Sequence, residues 1–268
     1  MKIKDIRKII LTAAVFSVFL TACGLDTASE TSSERASGTE DNTEDFDAEI
    51  PENAVYCQKE LNYIQGELSN ISLNYFDDHD NCIYFCSQPT EDSNEEWTTA
   101  FDCSYSYKYN DDGTIAEMSM VESDDIQTLC KFEYSDDKAV RTETAYRNGE
   151  LWSTTVCTCD EYSNLLRTEM NLVSTNSSYI SSYEYEYDPD GRILVEKCIK
   201  DNDALSCIKR YTYDDNGNMA SLETTYADSD FPLLTKYTYN SDNRLIKEQS
   251  FTDGEESEYT EYEYEFYN

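Results

Sequence analysis

The sequence predicts an all-β protein whose repeated antiparallel β-hairpins form a curled or spiral sheet. Three observations support this: aromatic residues alternate with polar ones, an acidic turn follows each such stretch, and the unit recurs at a nearly constant interval. The second aromatic position falls at Tyr109, Tyr134, Cys159, Tyr187, Tyr213, Tyr239 and Tyr264, in steps of 25, 25, 28, 26, 26 and 25 residues. A fixed period of this kind is typical of stacked supersecondary units.

Each unit contains the elements of a hairpin. Tyrosines alternate with glutamates over residues 183–187, which indicates a strand with one buried and one solvated face. In the turn that follows, Pro189 suits the second position of a type I turn and Gly191 supplies the positive φ of a bulged hairpin. An apolar residue then opens the return strand in every unit: Ile115, Val140, Leu165, Ile193, Met219 and Leu245.

The repeats extend beyond these units in both directions. Residues 75–83 form a diverged copy, and residues 262–268 supply a last strand without its return. A flat sheet of about fifteen strands would be roughly 70 Å wide, at ~4.8 Å per strand. It would expose its tyrosine-rich face to water, which is unfavourable. We therefore expect the sheet to curl into an open spiral, a partial barrel or a rolled sandwich.

The segment before the first repeat carries mixed signals. Cys57, Leu61, Ile64 and Leu68 fall at helical spacing, and Asn53 is a suitable N-cap residue. Residues 71–75 instead alternate like a strand. We predict a short helix or turn that leads into the first strand and caps the exposed edge of the sheet.

The first residues form a secretory leader. Residues 1–22 carry basic residues, then the apolar run from Ile9 to Leu20, then small residues. The run is too short to span a bilayer as a helix. The sequence Leu-Thr-Ala-Cys-Gly at residues 20–24 resembles the lipobox of bacterial lipoproteins, in which the cysteine is diacylated and becomes the N-terminus. This resemblance implies that Cys23 anchors the chain in the cell membrane on its extracytoplasmic face.

A charged linker separates the anchor from the repeats. Residues 23–55 comprise the lipidated cysteine and a stretch with ten acidic residues, one base and no hydrophobic periodicity, so we expect a disordered tether. The repeat domain is predicted over residues 56–268. Removal of residues 1–22 leaves 16 bases against 55 acids, a net charge of −39. This charge argues against nucleic acid and anionic headgroups as partners, and it permits cationic partners, divalent cations or simple solubility.

One family resemblance can be named from the repeat itself. The sequence Tyr-Glu-Tyr-Asp-Pro-Asp-Gly-Arg-Ile at residues 185–193 resembles the YD repeat of Rhs proteins, Tyr-x-Tyr-Asp-x-x-Gly-Arg-Leu. The units at residues 211–219 and 237–245 are similar, and the resemblance covers about residues 75–268. It implies a β-strip like the shell that Rhs proteins build around a toxic domain. This chain has far fewer repeats, so it resembles small surface lipoproteins with YD-type repeats.

No catalytic constellation stands out. The single histidine, His79, lies in an acidic turn, and the glycines form no phosphate-binding loop. No nucleophile-elbow spacing is present. The loop around Asp188 fails the EF-hand pattern because its twelfth position is Lys197 and its flanks are strands. We predict no enzyme activity, no cofactor and no dedicated metal site. Weak divalent-cation binding by the acidic turns stays a hypothesis, which an unchanged melting temperature in millimolar calcium would remove.

The cysteines suggest disulfides, which export permits. Cys103 and Cys207 occupy equivalent repeat positions, and each follows a loop that begins near another cysteine, Cys86 and Cys198 respectively. We therefore predict the bridges Cys86–Cys103 and Cys198–Cys207. Two further cysteines, at positions 157 and 159, stand where other units carry tyrosine, and we interpret them as small core residues.

Two classes of function remain. The first is a surface-anchored binding or interaction module for a protein or glycan that the sequence does not identify. The alternative, which the Rhs resemblance suggests, is an accessory or chaperone-like partner of an exported Rhs-type toxin or of an envelope enzyme.

Overall fold

The structure is a computed structural model that describes residues 50–90, 101–122, 125–200 and 202–267. The leader, Cys23 and most of the predicted tether lie outside these residues. The described residues form sixteen strands: β1 (Tyr56–Ile64), β2 (Glu67–Phe76), β3 (Cys82–Pro89), β4 (Phe101–Tyr109), β5 (Ile115–Glu122), β6 (Gln127–Tyr134), β7 (Val140–Arg147), β8 (Glu150–Cys159), β9 (Leu165–Leu172), β10 (Ser177–Tyr187), β11 (Ile193–Lys200), β12 (Leu205–Tyr213), β13 (Met219–Tyr226), β14 (Leu233–Tyr239), β15 (Leu245–Thr252) and β16 (Glu255–Phe266). In this part of the chain, no helix is long and apolar enough to cross a membrane.

The strands close into a barrel. Each strand pairs antiparallel with its neighbours in the chain, and β1 also pairs with β16. That closing pair runs without a register shift from Tyr56 opposite Phe266 to Ile64 opposite Glu258. The all-β hairpin architecture is therefore confirmed, and the curled or spiral sheet is corrected to a closed barrel. Closure leaves neither edge of the sheet unpaired, so the exposed edge that we expected a cap to cover does not exist.

The predicted helix before the first repeat is wrong, because β1 and β2 occupy this segment. Gln65 and Gly66 both adopt positive φ and form a tight turn that divides it into two strands. Cys57 and Leu61 are four residues apart, and such residues share a face in a strand as well as in a helix. Their spacing could not separate the two structures. The segment supplies the strand that closes the sheet.

The predicted hairpin turns are confirmed. All six apolar residues predicted to open a return strand are the first residues of β5, β7, β9, β11, β13 and β15. Gly113, Gly191, Gly217 and Asn243 have positive φ at the bulge position. The first residue of each turn orders the loop with its side chain: Asp188 Oδ1 accepts hydrogen bonds from the backbone N–H of residues 190 and 192, both at 2.9 Å.

The two faces of the barrel differ in chemistry. All the buried polar strand residues share one face by register: Ser72, Thr128, Glu143, Ser153, Thr155, Glu196, Thr224, Thr235 and Ser250. The tyrosines of the regular repeats from residue 105 onwards lie on this same face and most are half-buried, whereas the residues that alternate with them are largely exposed. We therefore assign the tyrosine face to the lumen and the other face to the outside.

Tyrosine hydroxyls connect several of the repeats to the preceding one. The hydroxyls of Tyr213 and Tyr239 donate to the backbone carbonyls of Ile193 and Met219, at 2.8 and 3.0 Å. Tyr264 donates to the Leu245 carbonyl at 2.9 Å. Each acceptor is the first residue of the previous return strand, next to its bulge. The tyrosine of one unit thus satisfies a backbone group that the turn of another unit leaves free.

The longest step in the repeat has a structural explanation. Between the units of Cys159 and Tyr187 the step is 28 residues, and here Tyr185 donates to the Leu165 carbonyl at 2.7 Å. Tyr187 instead donates to the Asp160 carboxylate in the preceding turn. Two extra residues shift a strand by one full side-chain period, so the same face stays inward. The bond to the carbonyl then passes to the tyrosine two positions earlier.

Two small apolar clusters pack the sheet. On the lumen side, Met118, Cys130, Phe132 and Ala145 from β5–β7 form a buried cluster. A second cluster, on the outer face of β1–β3, contains Cys57, Leu73, Tyr75 and Cys86. Most of the remaining lumen is lined by half-buried tyrosines and polar residues. The interior is therefore polar in large part.

Candidate functional site

One wall of the lumen carries three carboxylates, which we call the acidic wall: Glu60 on β1, Glu248 on β15 and Glu258 on β16. In the register, Glu60 lies opposite Tyr262 and Glu248 lies opposite Thr260. Positions 258, 260 and 262 are successive inward positions of β16. The carboxylates therefore step along the strand direction at intervals of about 7 Å, since two residues of a strand span that length.

The acidic wall has hydrogen-bond donors but no cation. Asn74 Nδ2 donates to Glu60 Oε1 at 3.0 Å, and the Tyr262 hydroxyl donates to Glu248 Oε2 at 3.4 Å. Among the described residues, no lysine or arginine lies at an inward position of β14, β15, β16, β1 or β2, and no ion pair involves these three glutamates. Within the part of the chain that the structure describes, no basic side chain neutralises the charge of the wall.

Burial and a neighbouring carboxylate raise the pKa values of both Glu60 and Glu248. Burial in the lumen, followed by the nearby charge of Glu248, raises the pKa of Glu60 to about 7, and the hydrogen bond from Asn74 opposes this. The pKa of Glu248 is raised by its own burial and by Glu258, against the hydrogen bond from Tyr262. Burial and repulsion thus favour the protonated form of Glu60.

A cavity of about 420 Å³ adjoins the acidic wall. Its polar lining comes from residues of β1, β2, β15 and β16: Asn62, Ser69, Asn70, Glu248, Ser250, Glu258 and Thr260. The Asn70 Oδ1 atom is buried and has no hydrogen-bond partner. A second cavity of about 400 Å³ shares Glu258 and Tyr259 with the first and reaches the turn at Gly66. Together they extend from the acidic wall to the barrel end formed by the β1–β2 and β15–β16 turns.

Charges elsewhere in the lumen are balanced locally. Glu196 on β11 accepts a hydrogen bond from Lys209 Nζ at 2.8 Å and another from the Tyr211 hydroxyl at 2.9 Å. On β7, Arg141 and Glu143 lie at neighbouring inward positions, and the Arg141 guanidinium is 3.8 Å from the thiol of Cys157. Each of these carboxylates has a cation beside it, in contrast to the acidic wall.

The four cysteines of the predicted bridges are arranged differently. Cys198 and Cys207 are direct partners across β11 and β12, and their thiols contact each other. Cys86 lies opposite Asp102, whereas Cys103 lies opposite Phe85. Because neighbouring residues of a strand point to opposite faces, the Cys86 thiol is outside the barrel and the Cys103 thiol is inside. The structure therefore brings Cys198 and Cys207 together and places Cys86 and Cys103 on opposite faces of the sheet.

We predict that mild oxidation with diamide links Cys198 to Cys207, because cross-strand partners lie within the range that a disulfide requires. Peptide mapping of the unreduced protein should find this bridge, and dithiothreitol should reverse it. Cys86 and Cys103 serve as the internal control, since we expect no linkage between them. Finding both Cys198 and Cys207 free after oxidation would contradict the prediction.

His79 lies in the exposed turn between β2 and β3. The potential ligand atoms of Asp77, Asp78 and His79 lie within 4.8 Å of one another, the one such group among the described residues. His79 Nδ1 is 2.7 Å from Asp78 Oδ1, and its ring stacks on Tyr109 at 5.4 Å. This turn is far along the strands from the acidic wall. Its contacts account for the histidine without a ligand.

Sequence reasoning missed the acidic wall. Glu60 and Glu248 come from opposite ends of the chain, and each resembles any other acid of this highly charged sequence. The alternation in β1 and β16 could have shown which residues share a face. Only the closing pair of strands brings the two glutamates together.

No protein-family model matches the sequence, and no curated protein matches it. Solved structures do match. A porin-like protein from Bacteroides uniformis is 8% identical with a TM-score of 0.38, over 81% of this chain and 99% of that chain. The structure of TcdB2-TccC3-Cdc42 is 13% identical with a TM-score of 0.28, over 72% of this chain and 12% of that chain. This chain therefore spans about an eighth of the second structure. Likenesses at these TM-scores support no conclusion about activity or ligand.

The interpretation as an Rhs-type YD-repeat protein is wrong. The sixteen strands close on themselves through β1 and β16 and do not spiral into an open shell. The period of 25 to 28 residues is a property of the hairpins that build this barrel.

Proposed function

We propose that the protein is an envelope lipoprotein whose barrel stands in water beside the membrane and uses its lumen as a non-catalytic binding compartment. The observation that carries this proposal is the charge on the outer face. The anchor is Cys23, as the lipobox resemblance implies, and the lumen supplies the binding surface.

Ion pairs are distributed around the outside of the barrel. They join neighbouring positions at distances of 2.5 to 4.0 Å: Lys59–Glu263, Lys108–Glu117, Lys131–Glu117, Arg167–Glu169, Lys197–Glu184, Arg210–Glu223 and Lys247–Glu261. A barrel embedded in lipid presents an outward apolar band, and a lysine or arginine at its midplane costs about 2–4 kcal/mol. The charges on the outer face therefore support a barrel that is surrounded by water.

The topology also supports an orientation. The first strand starts at Tyr56, next to the end of the last strand and to the bulged acidic turns. A tether from Cys23 therefore enters the barrel at the acidic-turn end. The two cavities lie at the other end, beside Gly66. In this arrangement their opening faces away from the anchoring point.

The lumen offers groups for recognition. The carboxylates of the acidic wall lie beside a cavity that asparagine side chains also line. This arrangement suits a ligand rich in hydrogen-bond donors. The single histidine stands in an exposed turn outside the lumen. We therefore propose binding without chemical conversion of the ligand.

Membrane fractionation tests the location. The wild-type lipoprotein should sediment with membranes, whereas Cys23→Ala should lose lipidation. A second variant, with an ordinary cleavable secretory signal replacing residues 1–23, avoids retention by an uncleaved leader. We expect this secreted form to be recovered, folded, in the aqueous fraction without detergent, as judged by a cooperative unfolding transition. A folded barrel that still requires detergent would overturn the proposal.

A further inference from the structure

We propose that Cys198 and Cys207, in their reduced form, bind a thiophilic monovalent metal ion such as Cu(I) between their two sulfur atoms. This site lies on the β11–β12 hairpin, away from the acidic wall, and it goes beyond the proposed role of the lumen. The sequence predicts a disulfide at the same two residues and no metal site. The register of β11 against β12 is what makes the pair a candidate for both.

The two thiols are held side by side. Cys198 lies directly opposite Cys207 across β11 and β12, and the two side chains share a hydrogen bond. Residues at directly opposite positions have Cβ atoms about 4.5–5.5 Å apart. At the roughly 2.3 Å of a zinc–thiolate bond, an ion between two sulfurs holds them about 4.6 Å apart. The paired strands therefore supply both ligands with little movement of the backbone.

The number of ligands favours a two-coordinate ion. Among the residues that the structure describes, no third thiol, imidazole or carboxylate completes a group with these two sulfurs. The nearby Glu196 carboxylate is occupied, because it accepts hydrogen bonds from Lys209 and Tyr211 at 2.8 and 2.9 Å. Structural zinc sites need four ligands, and calcium needs six to eight oxygens. Thiolates select soft ions, and the soft ion Cu(I) is stable with two of them.

Binding exchanges two protons for one cation. Each thiol loses its proton, two metal–sulfur bonds replace two S–H bonds, and the occupied pair carries one net negative charge. Burial raises the pKa of both thiols, whereas the Lys209 ammonium opposes this effect. Lys209 lies at the inward position next to Cys207 on β12. It therefore stabilises the anionic form of the sulfurs that a metal requires.

The pair can be reached from the lumen. Cys198 is half-buried, and it lies two residues before the end of β11. Tyr183 is opposite Cys198 on β10, and Tyr226 is opposite Cys207 on β13. Tyr226 is 46% exposed and is the last residue of its strand, at the barrel end away from the acidic turns. An ion that enters at this end meets the two sulfurs between two aromatic side chains.

A competition titration tests the proposal. The detergent-solubilised full-length lipoprotein is reduced, freed of reductant without oxygen and titrated against Cu(I) held by bathocuproine disulfonate. We expect the wild type to withdraw one equivalent. Cys198→Ser and Cys207→Ser should each weaken this binding by about a hundredfold or more, since the loss of a group that only orients a ligand already costs about 10- to 100-fold. A cooperative unfolding transition shows that each variant is folded.

Cys159→Ser is the matched control. Cys159 is also a half-buried thiol on the lumen face, but its cross-strand partner is Leu165. This variant should still withdraw one equivalent of Cu(I). Three results would overturn the proposal: no withdrawal by the wild type, loss of the equivalent in Cys159→Ser, or its retention in folded Cys198→Ser and Cys207→Ser.

A second measurement needs no variant. Ag(I) forms the same two-coordinate thiolate complexes, so one equivalent should protect Cys198 and Cys207 from the bridge that diamide is expected to form. Peptide mapping of the wild type with and without Ag(I) measures this protection. Bridge formation at the same rate in both samples would contradict the site. Neither measurement bears on membrane fractionation, so the proposed location stands or falls separately.

Discussion

Replacing Phe132 with alanine is expected to lower the free energy of unfolding by about 3–5 kcal/mol. Phe132 is 7% exposed and belongs to the inner cluster with Met118, Cys130 and Ala145. Its ring also lies 5.9 Å from the Arg141 guanidinium, which contributes a cation–π contact. The loss combines removed apolar contacts with a cavity that a closed sheet cannot collapse to fill. The midpoint of urea unfolding at an unchanged slope measures the change.

Phe231→Ala is the matched control for this experiment. It makes the same chemical change at a side chain that is 51% exposed in the β13–β14 loop, so we expect a loss within about 0.5 kcal/mol. Similar losses for both variants would show that the inner cluster does not stabilise the barrel. A lower slope for Phe132→Ala would indicate that unfolding is no longer two-state.

Glu60→Gln is expected to stabilise the barrel at pH 8 by about 3 kcal/mol, because each pKa unit corresponds to about 1.4 kcal/mol. The pKa of Glu60 in the folded protein is raised from 4.5 to about 7, chiefly by burial. The groups that face it are Glu248 on β15, Tyr262 and Tyr264 on β16, and Asn74 on β2. Glutamine keeps the oxygen that Asn74 contacts and removes the charge.

The pH dependence has a definite sign. A carboxylic acid with a raised folded pKa is neutral in the folded state while it is already ionised in the unfolded state. The wild type therefore loses stability as the pH rises from about 4.5 to about 7, and the loss is complete above that range. Glu60→Gln and wild type should be equally stable near pH 4 and diverge towards pH 8. Glu186→Gln, which removes an exposed glutamate from the outer face of β10, is the control for the loss of one negative charge. Parallel curves for Glu60→Gln and wild type would contradict the raised pKa.

Local features of the chain were predictable from sequence because they depend on neighbouring residues. The turn around Gly191 needs a positive φ, which glycine tolerates, and the return strand begins at Ile193 as the spacing predicts. The alternation of tyrosine with glutamate in β10 correctly separates an inward from an outward face. These rules act over a few residues, so the sequence contains them directly.

Closure was not predictable in the same way. It depends on how far each strand is shifted against the next, and the step of 28 residues at Tyr187 changes that shift without altering the local pattern. Cys57 and Leu61 fit a strand and a helix equally well, so the strand that completes the circle was assigned to a cap. The acidic wall depends on closure, because Glu60 meets Glu248 only across β16.

The closing pair also matters for the export that we propose. A chain that crosses the membrane from its N-terminus presents β1 first, whereas its partner β16 is the last of the sixteen strands to follow. Throughout that interval one edge of β1 has no strand to pair with, and such edges invite aggregation. Contacts between residues this far apart in sequence also form slowly. Anchoring by Cys23 would hold each emerging chain apart from its neighbours until its own last strand arrives.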